Sequence, residues 1–140
     1  MIRVALFRCL KKHDAAYIRP VRDHKSLLAW QKARAVMDGV VEASINHWSP
    51  PAGPIISQLQ RSALSTQLNI AEGYARHSIP QFRYHLNVAY GSAVETIELL
   101  ELLRDHGLIP VELVSRILAH ALDTRGLLMG LLRRYTRPNP

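Results

Sequence analysis

Apolar residues recur along this chain with helical spacing in four separate stretches, and no segment of useful length alternates with period two. The first stretch covers about 26–47. Ser26 stands as its N-cap, and Trp30, Ala33, Met37, Val40, Val41 and Ser44 follow at helical intervals. It stops at 48–54, where three prolines and a glycine forbid continuation. The second covers about 54–75, with Pro54 in the first turn, where its missing N–H does no harm. Ser78 caps the third, Pro80 sits in its first turn, and Phe82, Leu86, Ala89, Ala93, Ile97 and Leu100 form its core stripe. Asp105-His106-Gly107 ends it. Pro110 opens the fourth, lined by Leu113, Ile117, Ala121, Thr124, Leu128, Leu131 and Tyr135. Long helices joined by short links favour antiparallel neighbours, so the pattern predicts an all-α, up-down four-helix bundle over 26–137, preceded by a separate arm over 1–25.

The second helix has more apolar surface than a bundle needs. At 100° per residue, Leu59, Ala63, Thr66, Ile70 and Gly73 share one face, small enough for a neighbouring helix to approach closely. Leu64, Leu68 and Ala71 lie on an adjoining face, a candidate contact with another subunit. Arg61, Ser65, Asn69, Glu72 and Arg76 occupy the remainder. Arg61 and Glu72 are three turns apart, so each is expected to meet charges on a neighbouring helix, such as Glu95 or Glu98, or else to leave Arg61 and Arg76 facing solvent with Lys32 and Arg83 as a phosphate-binding surface.

Composition adds limits. The length of 140 residues suits one domain with a real core, and a mean hydropathy of −0.04 is ordinary for a globular chain. A single cysteine, Cys9, cannot form an internal disulfide. The basic, apolar opening residues are broken by Arg3 and Arg8, and no small-residue cleavage site follows, so a cytoplasmic protein without a membrane span is expected. The net charge of +7 is unevenly placed. Residues 1–25 hold seven Lys/Arg, among them Lys11, Lys12, Arg19, Arg22 and Lys25, against two acids, whereas 26–140 hold eleven against nine. A second small cluster is Arg133, Arg134 and Arg137. Basic arms on near-neutral domains suit nucleic-acid backbones, through counterion release; the same charge also suits a solvated tail.

Catalytic chemistry finds no constellation. None of the seven histidines stands four residues from another, so no helical metal pair exists. Glu98 and Glu101 are three apart, but no Glu-x-x-His occurs, as a di-iron bundle would require. Glycine-rich phosphate loops are absent, and Gly126-x-x-x-Gly130 lies in an amphipathic stretch rather than a membrane helix. Neither an enzyme nor a bound cofactor or metal is expected.

The run Ser65-x-x-x-Asn69-Ile70-Ala71-Glu72-Gly73-Tyr74-x-Arg76-x-Ser78, preceded by Gln58-Leu59-Gln60-Arg61-Ser62-Ala63, resembles the four-helix-bundle family named for proteins encoded in 23S rRNA intervening sequences. Leu28-x-Trp30-Gln31-Lys32-Ala33 and Phe82-x-x-x-Leu86-x-x-Ala89-x-Gly91-Ser92-x-x-Glu95 agree with it, and the resemblance spans about 24–132. It implies an up-down bundle assembling into a ring or barrel-like homo-oligomer, a pentamer in characterised relatives. A distant branch serves as the accessory subunit of diversity-generating retroelements, where a basic pentamer binds nucleic acid and the reverse transcriptase. The chain departs from that pattern in its long basic arm and in a body charge of only +2 over 26–140. Two functions stay open. One is a non-enzymatic accessory protein binding RNA or DNA backbone through Lys11, Lys12, Arg19, Arg22, Lys25, Lys32, Arg34, Arg61, Arg76 and Arg83, with a reverse transcriptase as protein partner. The other is a protein-interaction scaffold that binds no nucleic acid.

Overall fold

A computed structural model of the protein describes residues 23–136. Four helices fill it: α1 (Leu28–Asn46), α2 (Gly53–Ala75), α3 (Ile79–Asp105) and α4 (Val111–Thr136), with a 3-10 turn at His24–Ser26 ahead of α1. Links of three to six residues cannot return the chain along helices that rise about 1.5 Å per residue over their full length, so consecutive helices run antiparallel. Each helix packs on its chain neighbours, α4 closes the ring on α1, and the backbones of diagonal helices stay apart. This is the up-down bundle.

Local chemistry explains most of the boundaries. Ser78 accepts from the Gln81 N–H at 3.2 Å, capping α3 with a proline in its first turn. At the other end of α3, Gly107 takes φ +63°, and the bonds Leu108 N–H to Leu103 O and Gly107 N–H to Arg104 O close a Schellman motif. Only glycine adopts that φ without strain. The start of α1 differs from expectation. Ser26 is not its N-cap: Asp23 caps the 3-10 turn by accepting from Lys25 N–H, Ser26 Oγ donates to Asp23 O, and α1 begins behind Leu27 without a side-chain cap.

The core stripes of α2, α3 and α4 fall where the periodicity places them. Leu59, Ala63, Thr66, Ile70 and Gly73 are buried, as are Phe82, Leu86, Ala89, Ala93, Ile97 and Leu100. Leu113, Ile117, Ala121, Thr124 and Leu128 line α4, while Leu131 and Tyr135 are half-buried. For α1 the phase is off. Its buried residues are Ala29, Ala33, Val36, Val40 and Ala43; Trp30 and Met37 are half-buried and Val41 is exposed. The physical reason is size. Large side chains at 30, 37 and 41 drew the stripe one position round, but the bundle axis beside α1 admits only alanine and valine.

That narrow axis continues through the molecule. Ala33, Ala63, Ala93 and Ala121, one from each helix, meet at mid-length beside Thr66, Thr96 and Thr124, around a void of about 10 Å³. Each of the three threonines donates to the carbonyl four residues earlier (Ser62, Ser92 and His120), so a hydroxyl is buried without being orphaned. Larger side chains, Phe82, Leu86 and Leu128 on one side and Ile56, Leu59, Leu100 and Leu103 on the other, fill the two ends.

Candidate nucleic-acid interface

The polar face of α2 builds a seam with α3. Asn69 donates from Nδ2 to Ser65 O at 2.9 Å, which turns its Oδ1 towards His85 Nδ1 at 3.0 Å. An amide oxygen only accepts, so in this arrangement Nδ1 of His85 carries the hydrogen. Glu72 lies 3.6 Å from the same nitrogen. Ser65 and Ser92 share a hydrogen bond at 2.8 Å, the hydroxyls of Ser62 and Thr96 lie 2.9 Å apart, and Gln58 donates to Glu95 at 2.6 Å. Gly73 is where the two backbones cross: a Cβ there would stand 2.8 Å from His85 Cβ and 3.2 Å from Phe82 Cδ2. The seam therefore specifies how α2 and α3 mate, and its groups are occupied with one another.

Of the contacts expected from Arg61 and Glu72 to charges on a neighbouring helix, only that of Glu72 forms among the described residues. Glu72 meets His85, Gln58 takes Glu95, and Arg61 stands exposed without an ion pair among the described residues. The reason is register: side chains of moderate length close the seam, leaving Arg61 on the solvent side of α2.

The candidate phosphate contacts divide three ways. Lys32 bridges α1 to α4 through Asp123 at 3.2 Å, and Arg34 pairs with Asp38 one turn along α1 at 2.9 Å. Lys25, Arg61 and Arg76 are exposed, and none has an ion pair among the described residues. Arg83 is half-buried, with its Nε buried and without a hydrogen-bond partner among the described residues. Lys11, Lys12, Arg19 and Arg22 lie outside the described residues. Leu64 and Leu68, on the adjoining face of α2, are 43% and 50% exposed, and Ala71, one turn beyond Leu68, is half-buried.

The antiparallel fold brings together charges that are far apart in sequence. Dividing the bundle at mid-length puts residues 23–37, 64–92 and 123–136 at the end that carries the α2–α3 turn. That half holds eight Lys/Arg (Lys25, Lys32, Arg34, Arg76, Arg83, Arg125, Arg133, Arg134) against three acids, a net +5. The other half holds Arg61, Arg104 and Arg116 against seven acids, a net −4. The bundle is a charge dipole along its own axis. Residues 1–22, with six Lys/Arg and one acid, join at Asp23, on the basic end. Helical periodicity does not single out Arg125; the signal for it is that no acid follows Asp123 in the sequence.

On the acidic half a groove of about 210 Å³ runs between α1 and α4, lined by Asp38, Gly39, Glu42, Arg116 and His120. Arg116 and Glu42 close across it at 2.6 Å, and His120 Nδ1 is buried without a partner among the described residues. Among the described residues no three His, Cys, Asp or Glu side chains gather as a metal site, and no helix is long and apolar enough to cross a membrane.

Fold and seam together define the class: an antiparallel four-helix bundle whose second and third helices are keyed by a Ser/Asn/Glu/Gly motif. The chain belongs to the 23S rRNA-intervening sequence protein family, whose sequence profile matches residues 25–130. In structure it is similar to a protein of unknown function from the S23 ribosomal protein family of Bacteroides thetaiotaomicron, known from a crystal structure at 1.70 Å. The TM-score is 0.67 at 23% identity, over 76% of this chain and 99% of the other. Comparison with curated proteins gave no match.

Proposed function

We propose that this protein is a non-enzymatic, homo-oligomeric accessory protein that binds the phosphodiester backbone of RNA or DNA through the basic end of its bundle and the basic segment preceding Asp23. The observation that supports the reading is the axial charge separation, +5 against −4, with the most basic stretch of sequence joined to the positive end. Lysines and arginines so gathered release counterions when phosphates replace them, which gives affinity without base specificity. Lys32 and Arg34 contribute little, because Asp123 and Asp38 already hold them; Lys25, Arg76 and Arg83, with Lys11, Lys12, Arg19 and Arg22, carry the contacts. Arg61 lies on the acidic half and is peripheral to them.

A second copy covers Leu64, Leu68 and Ala71 in this reading, building the ring or barrel, a pentamer by family resemblance. A reverse transcriptase is the protein partner, and the cytoplasm the place of action. Fluorescence anisotropy with labelled RNA and DNA across a salt series is the test, paired with light scattering for mass. Micromolar or tighter binding that weakens steeply with salt, and falls when residues 1–22 are removed, is expected. A stable oligomer that ignores both nucleic acids would instead make the exposed Leu64–Leu68 face and a protein-interaction scaffold the working description.

A further inference from the structure

Two glycines in α4 have no purpose inside the molecule. Gly126 and Gly130 are exposed, lie one turn apart on the same face, and a Cβ at either would meet nothing within 4 Å. Glycine is among the poorest residues for a helix interior, so placing two there weakens α4 with no packing return. Gly73 shows the contrast, since its missing Cβ admits a neighbouring helix. A bare strip on an outer face gives the same freedom of approach to something outside the chain.

The surroundings say what that something is. Arg125 projects about 100° round the helix from Gly126, and Arg133 and Arg134 follow at the next turn, three and four residues beyond Gly130. All three are exposed, and none meets a carboxylate among the described residues; Arg134 lies over the Tyr135 ring. No acid follows Asp123, and Asp123 itself is held by Lys32. From Gly126 to Arg134 is about 12 Å of helix at 1.5 Å per residue. Beyond Asp123 this outer face of the basic end carries arginines and no acid.

We infer that the outer face of the last three turns of α4 is the seat of the polyanion: a phosphodiester backbone lies against the Gly126–Gly130 strip and is clamped by Arg125 on one side and Arg133 and Arg134 beyond. The inference rests on the proposed nucleic-acid reading and gives it a location. Glycine lets phosphates approach the helix closely, and three guanidiniums that meet no carboxylate among the described residues supply charge-assisted hydrogen bonds there.

The test uses the full chain with labelled single-stranded RNA and DNA of one sequence, by anisotropy, with thermal melts and light scattering on each variant. Gly126→Leu with Gly130→Leu should weaken Kd tenfold or more while the melting temperature holds or rises. Such a combination is foreign to a structural role. Arg125→Ala with Arg133→Ala should retain the fold, both being exposed and unpaired, and should make the log–log salt slope shallower by about two. Unchanged affinity in a folded glycine variant, or an unchanged slope in the arginine variant, overturns the assignment and leaves the broader reading standing. Absence of binding by the unsubstituted protein overturns both. Loss of binding accompanied by a fall in mass gives the strip to a second copy and overturns the inference. Equal response with RNA and DNA supports a backbone contact; loss confined to one of them overturns it.

Discussion

Gly73 and Asn69 show at single-residue scale how the family motif works. The α2–α3 crossing is close because Gly73 has no Cβ, and the atoms it would strike, His85 Cβ and the Phe82 ring, are not free to swing aside. Gly73→Val should therefore destabilise by about 1–3 kcal/mol despite valine's better helix propensity, seen as a lower thermal midpoint. Asn69→Ala removes the acceptor for His85 Nδ1 from a side chain only 12% exposed, a loss of about 1–3 kcal/mol. Denaturant titration of that variant checks it, and an unchanged midpoint would mean that water or Glu72 serves His85 as well. Phe82 fills the end of the core between Tyr74 and Tyr135, so Phe82→Ala should cost about 3–5 kcal/mol. Trp30, half-buried against His24, should cost less on truncation. Melting the two alanine variants side by side would show the order.

Helix boundaries make the element-scale contrast. Ser78 and Ser26 look alike in sequence, each a serine ahead of an amphipathic run. Ser78 accepts from Gln81 N–H; Ser26 donates to Asp23 O within a turn whose cap is Asp23. Ser78→Ala should lose about 1 kcal/mol, whereas Ser26→Ala should leave the helices within about 0.5 kcal/mol. Equal losses in the two would contradict the assigned caps. The phase of α1 belongs here too. Its periodicity shows a helix plainly but carries two overlapping stripes, one of large residues and one of small. Which stripe faces inward depends on how close α2 and α4 come, and helix propensity does not encode that. In α2 and α3 the small residues and the apolar stripe coincide, so the reading and the structure agree.

At the scale of the whole molecule, charge is what folding rearranges. A body close to neutral in composition becomes positive at one end and negative at the other, because antiparallel helices place 76, 83, 133 and 134 near the start of α1. Nucleic-acid affinity should follow the basic end: Arg76→Ala should make binding shallower in salt by about one unit of slope, and Arg61→Ala should not. Salt titrations of the two variants separate a local contact from a net-charge effect, since each removes one cation. The exposed leucines make a separate prediction. Leu68→Asp should lower the mass seen by light scattering while leaving the melting of the single bundle within about 1 kcal/mol, as expected where a side chain is half exposed in the isolated chain.

The sequence by itself determined the four helices, their order, the caps at Ser78 and Gly107, the core stripes of α2, α3 and α4, and the family, because helical periodicity, prolines and glycines act locally. Tertiary structure decided the rest. It chose the inward face of α1, sent Glu72 to His85 and Gln58 to Glu95, set Lys32 against Asp123, and collected the basic residues at one end. Each of these turns on distances between helices. A one-dimensional pattern states which face a residue occupies, but only the packed bundle decides what stands opposite it.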